Sequence, residues 1–291
     1  MEKSKLVLGT AQLGMSYGIN NGTGQPDKEE SFSILDYAWK HGIDTFDTAP
    51  AYGTAEKLLG DWIRSRSLAS RARIISKMKG DDAAILLQVC ASLHALGIER
   101  LDGLLLHAQG DMYRRDVQMV LQNAKRDHMT DHIGVSTYSP TEAGDALGMG
   151  FDYIQVPYNV FDRRLDKNDF FERAKRYSVK VFARSPLLQG LLLTSPDRIP
   201  PYLAHAQPHV TRFREIASTH GLTPLEAALM YVRAHEGIEY IVFGVETSSQ
   251  LEQIIAAKMQ IIDASCLSEM HETFVGLEES IIDPRLWKKD T

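Results

Sequence analysis

The stretch "GIDTFDTAPAYG" (residues 42–53) changes character in its middle, and that change decides how the chain is read. An apolar, β-branched run ends on Asp47, and the Ala-Pro-Ala-Tyr-Gly that follows has turn composition. "DTFD" (44–47) is therefore a short strand ending on an acid, with the phenol of Tyr52 in the loop beyond it. Seven further runs share this form: "KLVLGT" (5–10), "RIISK" (73–77), "LDGLLLH" (101–107), "HIGVS" (132–136), "DYIQV" (152–156), "KVFARS" (180–185) and "YIVFG" (240–244). Between them lie stretches of helical period. Val117, Val120, Leu121 and Ala124 repeat at i, i+3, i+4 and i+7, as do Leu225, Ala228, Leu229 and Val232. "SPTEA" (139–143) and "LTPLEAA" (222–228) carry a Ser or Thr cap, then Pro, then Glu, which marks a helix start. Eight strands, each followed by helix, predict an α/β fold: one (β/α)8 barrel spanning residues 1–291 as a single domain. A doubly wound open sheet is the rival, but "GTAQLG" (9–14) is not the G-x-G-x-x-G that would support it. The longest irregular stretch, 194–209, is expected to be a lid-like loop.

The 291 residues are 44% hydrophobic, enough for a large core. With 32 basic and 38 acidic residues the net charge is −6, which offers no global basic field for nucleic acid or an anionic membrane. No apolar run approaches the ~18 residues of a membrane span, and the first run is too short for a signal peptide, so a cytoplasmic protein is expected. Cys90 and Cys266 lie far apart with no ligand-spaced partner; both are expected to be buried thiols, with no metal site and no disulfide.

A barrel of this kind carries its chemistry at the C-terminal rim of its strands. Asp47, Lys77 and His107 end the second, third and fourth strand candidates, and Tyr52 follows Asp47 closely enough to fold back over it. Side chains alternate along a strand, so Lys77 shares a face with Ile75 and His107 with Leu105. A tyrosine is a poor proton donor or acceptor near neutral pH unless its surroundings tune it; an ammonium beside it lowers its pKa, and a carboxylate keeps that ammonium charged. Each residue alone also has an ordinary reading: Asp47 as a turn or helix cap, Lys77 and His107 as solvated or satisfied polar groups, Tyr52 as rim packing.

Here the residues resemble the aldo-keto reductase superfamily. "GIDTFDTAPAYGTAEKLLG" (42–60) looks like its first signature, "IISKMKG" (74–80) like the strand carrying its lysine, and "LDGLLLHAQGD" (101–111) like the strand carrying its histidine. "IGVSTYS" (133–139), "IQVPYNVFDRR" (154–164), "VFARSPLLQGLLL" (181–193) and "YIVFGVETSSQLEQ" (240–253) follow in the family's order over nearly the whole chain. The resemblance implies reversible NAD(P)H-dependent reduction of a small-molecule aldehyde or ketone, with Tyr52 as proton donor, Lys77 paired with Asp47 tuning it, and His107 orienting the carbonyl. Ser136 and Gln155 match positions that hold the nicotinamide carboxamide; Arg184, Ser185, Pro186, Leu187, Gln189 and Gly190 match the loop over the diphosphate. The segment from Gly244 through Thr247 and Gln250 to Gln253 matches the adenosine subsite, and Gly9, Thr10 and Ala11, with Asp47, the floor beneath the nicotinamide.

Three departures stand out. Thr137 replaces an Asn common in relatives, and Arg184 replaces an aromatic residue that stacks on the nicotinamide. No Lys or Arg lies between Arg233 and Lys258, while Glu246 sits in the adenosine segment. The resemblance favours NADP(H) as coenzyme, and this last departure keeps NAD(H) open. Substrate selectivity is expected from Tyr17, Phe161, Trp287 and the segments 157–164, 194–209 and 281–287. Two other function classes compete: a coenzyme-sensing regulatory subunit, and a lyase using Lys77 as a Schiff-base nucleophile.

Overall fold

The computed structural model describes residues 5–19, 21–22, 24–80 and 85–287, and in it eight parallel strands close into a barrel in chain order. They are β1 Lys5–Gly9, β2 Thr45–Asp47, β3 Arg73–Met78, β4 Leu101–Leu106, β5 Thr130–Ser136, β6 Tyr153–Pro157, β7 Lys180–Arg184 and β8 Tyr240–Gly244. β8 returns to β1 in register from Lys5 opposite Tyr240 to Gly9 opposite Gly244, which closes the ring. The helices are α1 Ala11–Gly14, α2 Lys28–Lys40, α3 Ala55–Ser65, α4 Ile85–Leu96, α5 Arg115–Arg126, α6 Pro140–Ala146, α7 Phe170–Arg176, α8 Gln207–Thr219, α9 Pro224–Arg233, α10 Ser248–Ala257, α11 Ala264–Thr273 and α12 Glu279–Ile282. Both cap signatures form full capping boxes, Ser139 with Glu142 and Thr223 with Glu226. Val117, Leu121 and Ala124 bury the inner stripe of α5, as their spacing predicts.

Alternation along the strands sorts the side chains into two cores. The outer faces join the helices in a large apolar layer that includes Phe46, Trp62 and Leu106. The inner faces supply Val7, Ile75, Leu105, Tyr153, Phe182, Tyr240 and Val242, an apolar plug filling the barrel. Two residues beyond members of that plug stand Gly9, Lys77, His107, Gln155, Arg184 and Gly244. The rim chemistry is thus the next inward layer above a hydrophobic floor. The opposite end is closed by a polar network: Arg73 pairs with Asp102 at 2.9 Å, and the Tyr153 hydroxyl lies 3.2 Å from Asp102 and 2.9 Å from His132 Nδ1.

Two expectations change. The segment 194–209 is not irregular: it forms 3₁₀ turns at Pro196–Arg198 and Pro201–Ala206 and then enters α8, with Leu203 and Ala206 fully buried. Cys90 is exposed on α4, whereas Cys266 is buried; both are free thiols. Among the described residues no helix is long and apolar enough to cross a membrane, and no group of three or more His, Cys, Asp or Glu could hold a metal ion.

Candidate active site

Asp47 is fixed from both sides: its carbonyl accepts from the Thr10 amide at 2.9 Å and the Thr10 hydroxyl at 3.1 Å, and the next residue, Thr48, bonds back to Ile75 of β3. The loop then returns over the rim because α1 lets it approach. A Cβ on Gly14 would lie 1.9 Å from the Tyr52 carbonyl oxygen, so only glycine lets the Tyr52 backbone dock there.

The Lys77 ammonium, 2% exposed, spends its three protons on the Asp47 carboxylate, the Thr48 carbonyl at 3.2 Å and the Tyr52 hydroxyl at 3.2 Å. The other Asp47 oxygen accepts from Gln155 Nε2 at 2.8 Å, and Gln155 Oε1 accepts from the Ser136 hydroxyl at 3.4 Å. A buried ion pair is costly unless its remaining hydrogen-bonding capacity is filled, and here it is filled from β5 and β6 across the barrel. His107 follows β4, its amide held by Met78 at 2.7 Å, and its ring meets that of Tyr52 edge-on at 5.8 Å.

Burial governs the protonation states. Burial pushes Lys77 down, but Asp47 and then Tyr52 outweigh it and hold the ammonium above its ordinary value. Burial raises Tyr52; Lys77 draws it down as the sequence suggests, yet the net shift is upward, so the phenol keeps its proton at neutral pH. Burial, followed by the Lys77 charge, lowers His107 to about 4, leaving a neutral imidazole with one N–H to donate.

Tyr52 and His107 open into a cleft of about 490 Å³ above the apolar plug, within the range of small-ligand sites. Its wall includes the predicted Gly9, Ala11, Asp47, Ser136, Gln155, Arg184, Ser185, Pro186, Leu187, Gln189, Gly190, Gly244, Gln250 and Gln253. Thr10, Thr137 and Thr247 are not part of it. Thr10 braces Asp47, Thr137 faces a small crevice toward Val156 and Asp162, and Thr247 caps α10 by accepting from the Gln250 amide. Gln12, Gly18, Tyr138 and Glu246 also line the cleft, and so does Tyr17, whose hydroxyl accepts from Gln189 Nε2 at 3.1 Å. Phe161 and Trp287 are buried in packing and stay out of it. A more open groove of about 720 Å³ runs along α2 past Phe32 and Tyr37 and holds none of these groups.

The sequence profile of the Aldo/keto reductase family matches residues 5–272. The chain belongs to that family. It is 26% identical over 280 residues to Aldo-keto reductase str7 of Strobilurus tenacellus, covering 86% of this chain and 82% of that protein. It is 25% identical over 320 residues to L-galactose dehydrogenase of Arabidopsis thaliana, covering 98% and 92%. Among solved structures, the holo form of aldo-keto reductase AKR11C1 from Bacillus halodurans superposes with a TM-score of 0.77 at 20% identity, over 97% of this chain and 96% of that one. That last likeness is one of fold.

Membership places the chain among oxidoreductases that act on carbonyl compounds with nicotinamide coenzymes. Within this aldo/keto reductase two stretches of the cleft depart from the resemblance. Arg184, half-buried, lies with Cζ 4.2 Å over the Tyr138 ring and donates to the Thr137 carbonyl at 3.0 Å. At the far end the Ser248 amide, in the first turn of α10, donates to Glu30 of α2 at 2.6 Å. Glu246 and Gln250 lock each other there: the Glu246 amide donates to Gln250 Oε1 at 2.8 Å, and Gln250 Nε2 donates to the Glu246 carboxylate at 3.1 Å.

Proposed function

We propose that this aldo/keto reductase reversibly reduces an aldehyde or ketone to an alcohol, with Tyr52 as proton donor. The observation that carries the reading is the Lys77 ammonium bound at once to Asp47 and to the Tyr52 hydroxyl, with Tyr52 facing the cleft.

The cleft suits a dinucleotide in its lining, which takes in Tyr52 and His107, the 185–190 turn, and Glu246 and Gln253. A Cβ at Gly244 would lie 2.1 Å from Gln12 Oε1, so the Gln12 amide packs directly against that strand end at the cleft wall. Ser136 and Gln155 would hold the carboxamide end, the 185–190 turn the diphosphate, and Gln250 with Gln253 the adenosine half. When bound, the nicotinamide supplies the hydride that reaches the carbonyl carbon. The protein's part is the oxygen end: His107 donates its N–H to the carbonyl oxygen, and the raised Tyr52 phenol delivers its proton as that oxygen becomes an alkoxide. The phenolate left behind lies 3.2 Å from the Lys77 ammonium, which stabilises it until it is reprotonated.

The coenzyme end supports NAD(H) over the NADP(H) usual in the family. A 2′-phosphate would meet the Glu246 and Glu30 carboxylates, and no Lys or Arg stands in residues 234–257 to offset them. A ribose hydroxyl can instead donate to Glu246. The Schiff-base alternative fares worse: Lys77 is buried, outside the cleft wall, and all three of its protons are engaged. Tyr52→Phe tests the main reading. It should keep coenzyme binding while reduction of 4-nitrobenzaldehyde falls by roughly 10²–10⁴-fold; reduction at the wild-type rate would remove Tyr52 from the mechanism.

A further inference from the structure

We propose that the carbonyl substrate carries an anionic group, a carboxylate or a phosphate, which Arg184 binds; the proposal rests on the reductase reading. Two guanidinium groups lie over the Tyr138 ring, Arg184 at 4.2 Å and Arg285 at 4.0 Å from its centre. Their charges are balanced differently. Arg285 pairs with Asp283 at 2.9 Å and does not line the cleft. Arg184 lines the cleft and meets only the Thr137 carbonyl and the Tyr138 face; among the described residues it makes no ion pair with a carboxylate. A guanidinium has five N–H donors, and one carbonyl uses a fraction of them.

The carboxylates that line the cleft or flank Tyr138 are engaged elsewhere: Asp47 by Lys77 and Gln155, Glu246 by Gln250 Nε2 at 3.1 Å, and Glu142 by the backbone amides of Tyr138 and Ser139 at 3.0 Å. The cleft thus presents an uncompensated, partly desolvated cation whose planar fork matches a carboxylate or phosphate in two-point contact. Its position places that anion on the substrate. Arg184 stands at the end of β7, two residues above Phe182 of the barrel plug, in the same inward layer as His107 and Gln155. Its charge also bears on Tyr17, Tyr52 and His107, the groups around the reacting carbonyl. A compound whose carbonyl oxygen lies between Tyr52 and His107 shares the cleft with Arg184 and can present a charged group to it.

The test compares 4-carboxybenzaldehyde with its neutral methyl ester, and D-glyceraldehyde 3-phosphate with D-glyceraldehyde, by steady-state kinetics on the wild type, Arg184→Met and Arg184→Lys. The wild type should favour at least one anionic member by roughly 10- to 100-fold in kcat/KM, mainly through KM. Arg184→Met should bring that ratio close to one, and Arg184→Lys should restore part of it. Which pair responds separates carboxylate from phosphate. Benzoate and inorganic phosphate titrated into wild type and Arg184→Met by calorimetry give a readout that needs no turnover, so failure of the reductase reading stays distinct. Equal kcat/KM within both pairs overturns the proposal, as does a larger loss of coenzyme affinity than of the anionic preference, which would assign Arg184 to the coenzyme diphosphate. If Arg184→Met does not fold, absence of benzoate and phosphate binding to the wild type overturns it equally.

Discussion

Lys77 and Tyr52, 25 residues apart in sequence and on different elements, are joined by a 3.2 Å hydrogen bond from the ammonium to the phenol. That bond exists only because Asp47, on the neighbouring strand, keeps a charged lysine inside the barrel. Positioning of the proton donor and burial of an ion pair are therefore one structural problem.

Lys77→Met separates the two. It leaves the Asp47 carboxylate buried with only Gln155 as side-chain donor, and removing one partner of such a pair costs roughly 3–5 kcal/mol. Denaturant unfolding should show that loss, and adding Asp47→Asn in the double variant should recover most of it while turnover stays low. A double variant no more stable than Lys77→Met would mean that the pair is not the source of the cost.

His107 gives the fold a pH dependence. Its folded pKa, lowered to about 4, lies below the ordinary 6.5, so the unfolded chain takes up the proton first as pH falls. The contribution is complete above 6.5 and is lost as pH drops from 6.5 toward 4. Melting temperatures across that window should fall more steeply for wild type than for His107→Asn, and parallel curves would disprove the half-buried neutral imidazole.

Much of the layout was readable from alternation alone. The eight strands were readable because each is a short apolar run stopped by turn residues, and parity then put Lys77 above Ile75 and His107 above Leu105. The same parity warns against Thr137: it follows inward-facing Ser136 and so turns outward. Segment 194–209 misled because 3₁₀ turns broken by prolines carry no 3.6-residue period, although Leu203 and Ala206 are core. Cys90 misled because "ILLQVCASLHAL" is apolar on nearly every side and does not show which face is outward. Glu30 had no local signal, since it meets Ser248 only through tertiary packing of α2 on α10.

Chemistry and stability should separate along the barrel axis. Tyr153→Phe removes a hydroxyl bonded to Asp102 and His132 at the end opposite Tyr52, where Arg73 still holds Asp102. The loss should be about 1–2 kcal/mol, seen as a melting point lower by a few degrees. Reduction of 4-nitrobenzaldehyde should stay within about twofold of wild type; a large fall in rate would show that the lower network shapes the rim.

Coenzyme choice should turn on Glu246. Its carboxylate and that of Glu30 crowd the first turn of α10, where the Ser248 and Gln250 amides are already bonded to Glu30 and Thr247. An incoming 2′-phosphate finds no free first-turn donor among those two and a negative field besides. Fluorescence titration should give a Kd for NADH at least about tenfold below that for NADPH, the repulsion of close like charges being worth a few kcal/mol at most near a protein surface. Glu246→Ser should narrow the gap by tightening NADPH, and Glu30→Gln should narrow it further by weakening the hold on the Ser248 amide. Tighter binding of NADPH than NADH to the wild type would show that the two carboxylates do not face the ribose, and would return the chain to the coenzyme habit of its family.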